Sequence, residues 1–443
     1  MKVELAGHYG PKRLIQAVVP TIIMMVVMSV YSIVDGLFVS RYVGAVAFAA
    51  VNFIMPVLMF MGATGTMIGT GGSALVSKTM GEGCRREAQA IFSMLIKVLI
   101  ALGLLSMMVL LMFLPVICRF LGADEAMMDD CVTYGRLCAL GAVPVMLQMA
   151  FQSFYMTAEK PQLGTIMSIV SGLTNIGLDA LFIACFGWGI KGAAIATGVA
   201  AAVGGFFPLI YFVSKRNTSA LRFINVGVRW KHVRQTCFNG LSEFVSAITM
   251  SVVSMCYNAQ LMRFIGSDGV AAYGVIMYIS YVYAAIFMGY NLAVEPIIGF
   301  NYGARNHVEM RSLVKKSFLI IGVTGLLMTL FAEVTSGFAS RMFVGYDAAL
   351  LTLTTRAVRI YMLCFLICGI SMFISALFTA LNNGLISAIA ALFRSLICEL
   401  VCVFLLPALF GADGIWYSVD VAEVLALVLC IFLFCRFRGR YGY

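Results

Sequence analysis

Residues 174–197 read TNIGLDALFIACFGWGIKGAAIAT, an apolar run with an amide and a carboxylate set inside it. Asn175 and Asp179 are four residues apart, so a helix places them on one face. A carboxylate at the centre of a bilayer costs about 2.5–3.5 kcal/mol on insertion scales, and such residues are kept for function. A second acid, Asp35, stands in the first apolar run, within YSIVDGLFVSRYVG. These residues predict a cation-binding centre, with the rest of the chain built around it.

The setting is lipid. Hydrophobic residues make up 62% of 443 positions, charged residues 11%, and the mean hydropathy is +0.99. A soluble chain carries about 25% charged residues. Apolar runs of about 20 residues recur along the whole length, the mark of an all-α polytopic membrane protein. The polar start carries Lys2, Lys12 and Arg13 and precedes a run from Leu14 to Val39. A signal-peptide core has only about 7–15 residues, so this run reads as an uncleaved first helix.

Twelve spans are expected, at 14–39, 45–76, 90–116, 132–156, 163–185, 190–213, 237–264, 269–298, 313–338, 355–380, 385–408 and 414–435. The polar stretch 214–236, with six Lys or Arg, divides an N-lobe (1–213) from a C-lobe (237–443). With the N-terminus inside, 20 Lys and Arg fall on the cytoplasmic side and five outside (Arg41, Arg119, Lys191, Arg263, Arg341), while Asp124, Glu125, Asp129 and Asp130 fall outside. That bias places both termini in the cytoplasm, in a multi-pass protein of the inner, cytoplasmic membrane. The net charge of +10 follows from this topology, and no nucleic-acid partner is expected.

The two halves repeat at an offset of 222 residues: Gly44 with Gly266, Gly81 with Gly303, Ala158 with Ala380, Gly192 with Gly414. Six spans per half is an even number, so both halves enter the membrane in the same sense. Two six-helix lobes of a parallel repeat then face one another across a central cavity.

Asp35 has Ser32 and Tyr31 about one turn before it, and Thr197 adds a hydroxyl in the sixth span. Two carboxylates, an amide oxygen and a hydroxyl are hard ligands suited to Na⁺. Two carboxylates held close in a dry place could instead share H⁺. The equivalents at +222 are Tyr257, Ile397, Val401 and Val419, none of them acidic, so the coupling site is expected in one lobe. Among the acids of the second half, Glu295 precedes Pro296, which frees a carbonyl and bends a helix. Tyr31, Glu295 and Tyr257 are therefore the candidates to line a substrate cavity. Arg394 and Glu399 are expected to neutralise each other, and Glu243 to sit at a solvated edge. Cys364/Cys368 and Cys398/Cys402 are four apart, yet read as packing residues, and no disulfide framework is implied.

Enzyme chemistry finds little support. His8, His232 and His307 fall in polar stretches, no H-E-x-x-H pair occurs, and GATGTMIGTGGSA has neither the strand nor the Lys-Ser/Thr of a phosphate loop. Small-residue helix packing explains those glycines.

Pro20 and Asp35 in the first span, MGEGCRREA after the second, TNIGLDALFIACFGWGIKGAAIAT and GYNLAVEPIIGFNYGARN resemble the MATE family of multidrug and toxin extrusion transporters, over essentially the whole chain. RSLICELVCVFLLPALFGADGIW adds to it. The resemblance is to the bacterial branch with the staphylococcal multidrug exporter and the DNA-damage-inducible exporters. It implies export of amphipathic, often cationic, organic compounds driven by Na⁺ or H⁺ entry, with no cofactor. It also implies a cation site at Asp35, Asn175, Asp179 and Thr197. The tenth span lacks an acid, so a C-lobe cation site of the family's other branch is not expected. Glu295-Pro296 stands where related chains have Gln-Pro. A monomer is expected. The alternatives are a lipid-linked oligosaccharide flippase of the same superfamily, which wants a strongly basic cavity, and a non-transporting membrane sensor.

Overall fold

Apolar runs of this length can satisfy their backbone in hydrocarbon only as helices. The computed structural model describes residues 4–43, 45–121, 125–345 and 347–443, without the side chains of 37, 39–41, 45–49, 52 and 126. Lys2, Gly44 and Asp124 lie outside the described residues, as does the side chain of Arg41.

The first half runs α1 (Pro11–Tyr42), α2 (Ala45–Gly81) and α3 (Arg85–Phe120). The fourth span is broken into α4 (Glu125–Leu140) and α5 (Ala142–Thr157). Then come α6 (Pro161–Asp179), continued by a π-helical turn Ala180–Cys185, and α7 (Gly189–Val213). The second half opens with α8 (Trp230–Asn239), then α9 (Leu241–Phe264), α10 (Ser267–Gly303) and α11 (His307–Val344). Its tenth span is α12 (Ala348–Met362), a 3₁₀ turn Leu363–Leu366 and α13 (Cys368–Ala380). The eleventh is α14 (Gly384–Leu392), a π-helical turn Phe393–Cys398 and α15 (Glu399–Phe410), and α16 (Ala412–Tyr441) is the twelfth. Among the described residues eleven of these are long and apolar enough to cross a membrane, and α4 with α5, bent by 59°, makes twelve. All 13 cysteines are free.

The polar connector ends earlier than 236. Its last residues form α8, which carries His232, so only 214–229 is non-helical, a turn followed by an extended piece. That extended piece lies along α3, whose Gln89, Ser93 and Lys97 recur every turn on one face. Gln89 Nε2 donates to the Ala220 carbonyl, Ser93 Oγ accepts from the Ile224 amide, and Lys97 Nζ donates to Asn225 Oδ1 and the Val226 carbonyl. Three polar side chains thereby satisfy a backbone that has no ladder of its own.

Both termini meet on one face of the bundle. The Leu5 amide donates to Glu159 Oε1 in the first half, 3.0 Å away. The Tyr9 amide donates to Glu309 Oε1 of α11, 2.9 Å away, and His8 Nδ1 lies 2.6 Å from Glu309 Oε2. Lys316 closes on the Tyr9 carbonyl, and Arg311 Nε donates to the Gly442 carbonyl. Residues 4–10 thus strap the two lobes together at the start of α11.

The repeat offset is not constant. The turn after α5 is capped at Ala158 and carries Glu159 at φ 59°. The turn after α13 is capped at Leu381 and carries Asn382 at φ 57°. Ala158 therefore corresponds to Leu381, not Ala380. One extra residue enters where Leu363–Leu366 replaces the single-residue break at Gly141, and equivalence shifts to +223 through the eleventh span. Burial agrees. Asn175 and Asp179 are 1% and 0% exposed, whereas Ile397 and Val401 are 44% and 51% exposed and Cys398 and Cys402 are each 3% exposed.

Candidate cation and substrate site

Asp35 lies about three-quarters along α1, and α6 packs against α1. On α6, Asn175 and Asp179 share the face that looks inward, because their four-residue spacing repeats the helix turn. The structure brings these three residues together: Asp179 and Asn175 are the polar side chains that face the Asp35 carboxyl. Both oxygens of Asp179, Oδ1 of Asp35 and Oδ1 of Asn175 are buried without a hydrogen-bond partner among the described residues. Buried oxygens of this kind are normally satisfied, so each one left over is an available ligand. The α-helix ends at Asp179 and passes directly into the π turn, a distortion common at functional sites.

The chemistry of the set is plain. Two carboxylates and one amide oxygen converge where, among the described residues, no guanidinium or ammonium answers them. They can hold a small hard cation or keep a proton between them. Among the described residues no cluster of three or more His, Cys, Asp and Glu side chains has metal-holding geometry.

Of the other expected residues, Tyr31 lies beside Asp35 and against Gly172 of α6. Thr197 is half-buried on α7 and donates no hydrogen bond to the three. Glu295 sits apart on α10, 6% exposed, with Oε1 unpaired and Glu243 as its charged neighbour. Glu243 is accordingly half-buried against Glu295, not at a solvated edge. Tyr257 is 1% exposed inside the C-lobe, stacked on Tyr273 at 5.2 Å between ring centroids.

Three residues near the site were not anticipated. Tyr134 and Cys138, one turn apart on α4, have Asp35 as a neighbour, and Gln148 of α5 faces Tyr31. Gln148 Nε2 also donates to Ser171 Oγ on α6, which donates to the Ala200 carbonyl of α7. The signal was the Tyr134/Cys138 spacing on the fourth span.

Arg394 does not pair with Glu399. Its Nε donates to Glu423 Oε1 and Oε2 at 2.9 and 3.1 Å, and Nη2 lies 2.8 Å from Oε1. Nor is buried acidity confined to one lobe, since Glu423 is 3% exposed within the second half. The residue carrying each charge is on the neighbouring helix, which spacing along one helix does not reveal.

A family model described as MatE matches residues 20–181 and again 244–405, once in each half. The chain belongs to the MatE family. It is 24% identical over 99% of its length to the multidrug export protein MepA of Staphylococcus haemolyticus, covering 97% of that protein. The MepA of Staphylococcus aureus strain N315 is also 24% identical, over 99% of this chain and 98% of that one. A MATE crystal structure in complex with MaL6 superimposes with a TM-score of 0.92 at 21% identity, over 98% of this chain and 97% of that one. A MOP-superfamily transporter from Pyrococcus furiosus Vc1, described as having a binding pocket of reversed polarity, gives 0.89 at 21% identity, over the same 98% and 97%. The superpositions show the fold, two lobes of membrane-spanning helices, and MatE membership makes the chain a membrane transporter rather than an enzyme.

Proposed function

We propose that this chain is a cation-coupled antiporter that exports amphipathic, often cationic, organic compounds across the cytoplasmic membrane, with Na⁺ or H⁺ as the driving ion. Under this reading the N-lobe, 1–213, and the C-lobe, 237–443, rock about the 214–236 connector, and the face bearing both termini is cytoplasmic. The export activity named for its MepA relatives supports the substrate class.

One observation carries the coupling: the two oxygens of Asp179 are buried without a partner beside Asp35 and Asn175. An uncompensated pair of carboxylates makes the N-lobe conformation depend on whether a cation is bound. A bound ion shifts the two orientations only by its differential affinity for them. In the exporter cycle, cation entry at Asp35, Asn175 and Asp179, with Thr197 as a fourth ligand, favours one orientation. Organic substrate in the cavity between the lobes favours the other.

Efflux of a cationic dye from vesicles, with Na⁺ and proton gradients imposed separately, tests this. Efflux driven by one gradient, and lost in Asp35→Asn and Asp179→Asn proteins that still fold, is expected. Wild-type efflux rates in both variants would sink the coupling mechanism, and no efflux under either gradient would sink the transport reading itself.

A further inference from the structure

The C-lobe holds a second set of ionisable groups that the exchange at Asp35 and Asp179 does not use. Arg394, in the π turn Phe393–Cys398, and Glu423 of α16 form a neutral bidentate pair. Two further carboxylates adjoin it with no cation of their own. Glu399, half-buried at the start of α15, has Glu423 and Arg394 as its charged neighbours. Asp420 lies one turn before Glu423 on α16, and both its oxygens are buried without a hydrogen-bond partner. Tyr257 of α9, 1% exposed with an unpartnered hydroxyl, has Glu399 as its foremost charged neighbour.

Glu423 and Glu399 thus share one guanidinium, and Asp420 adjoins Glu423 on its other side. Their other neighbours bring no second cation. Tyr273 reaches in from α10, Tyr361 from α12, Cys364 from the 3₁₀ turn and Cys368 from α13. Glu243 of α9 faces Arg394 as well. Phenols and thiols carry no charge near neutrality, so among the described residues no second cation answers Glu399 and Asp420. Carboxylates held close to one another in a dry place take up a proton readily, and that is the ion this set suits. A static lock would be fully hydrogen-bonded, as Arg394 and Glu423 are. Glu399 and Asp420 sit beside the positions, Cys398 and Val419, that correspond to Asn175 and Thr197 of the N-lobe.

We infer that Glu399 and Asp420, arranged around the Arg394–Glu423 pair, form a second proton-binding centre in the C-lobe that loads and unloads during the transport cycle. This rests on the antiport reading. When Glu399 loses its proton, the resulting carboxylate competes with Glu423 for Arg394, while Asp420 exchanges its proton beside Glu423. Exchange of that one guanidinium between α16 and α15 changes how the eleventh and twelfth spans hold together.

The test uses full-length protein and tetraphenylphosphonium. The slope of log Kd against pH counts protons linked to binding, and it is expected to fall by about one in Glu399→Gln/Asp420→Asn. In Asp35→Asn/Asp179→Asn a slope of about one should remain, and it should vanish when all four substitutions are combined. Infrared pH titration provides a readout that needs no transport. A titrating buried carboxyl band should persist in Asp35→Asn/Asp179→Asn and weaken when Asp420→Asn alone is added, should the C-lobe double variant fail to fold. An unchanged slope in Glu399→Gln/Asp420→Asn, or no titrating band in Asp35→Asn/Asp179→Asn, overturns the proposal while leaving antiport intact. Failure of wild-type vesicles to move the cation under either gradient overturns both.

Discussion

Gly81 and Gly303 meet the opposite lobe in the same way. A Cβ on Gly81 would overlap the carbonyl oxygen of Phe300, and a Cβ on Gly303 would overlap that of Lys78. The two contacts exchange when 222 is added to or subtracted from each number, so they form a pseudo-twofold crossing of α2 and α10. Each glycine stands where a side chain has no room, and backbone meets backbone at the face bearing the termini. The lobes are therefore closed at that end in this conformation.

Gly81→Val is expected to exclude this crossing, because overlap with a backbone oxygen cannot be relieved by a rotamer change. Spin labels at the exposed positions Arg86 and Val308 would report it. The wild type should show a short-distance population and the variant a shift to longer distances. An unchanged distribution would mean that the glycines do not gate this end.

The Arg394–Glu423 pair predicts an asymmetry in stability. Removing one partner of a buried pair leaves an uncompensated charge and costs about 3–5 kcal/mol. Arg394→Met should therefore lower the Tm in detergent markedly, and Arg394→Met/Glu423→Met should recover most of the loss. Equal losses in the single and double variants would show that the pair is not coupled.

The strap at residues 4–10 depends on Glu309, which accepts from the Tyr9 amide and contacts His8. Hydrogen bonds to a charged group contribute about 1.5–3 kcal/mol, so Glu309→Ala should free the strap locally without unfolding the bundle. Limited proteolysis should then cut before Pro11 at least tenfold faster. Unaltered cleavage would mean that Lys316 and Glu159 hold the strap alone.

Asn175 and Thr197 distinguish direct from peripheral ligands. Asn175 faces Asp35, whereas Thr197 donates no hydrogen bond to the site. Asn175→Ala should reduce cation-driven dye efflux about tenfold or more, and Thr197→Ala several-fold less. The reverse order would require Thr197 to move into the site in the other orientation.

The spans, their number and the acidic face at Asn175 and Asp179 were all legible in the sequence, because hydrocarbon leaves a chain no alternative to apolar helices and makes each buried acid conspicuous. The MATE resemblance was carried by short loops and by those same acids. The partner of Arg394 was not legible, because Glu423 approaches from another helix and nothing along one strand of sequence ranks it above Glu399. Nor was the slip from +222 to +223, which arises in a 3₁₀ turn that looks like any other apolar stretch. The sequence by itself determined which segments cross the membrane and which of them carry charge there. Only the tertiary structure decided which charges meet, because that depends on how each helix is rotated against its neighbours, and one inserted residue turns a helix by about 100°.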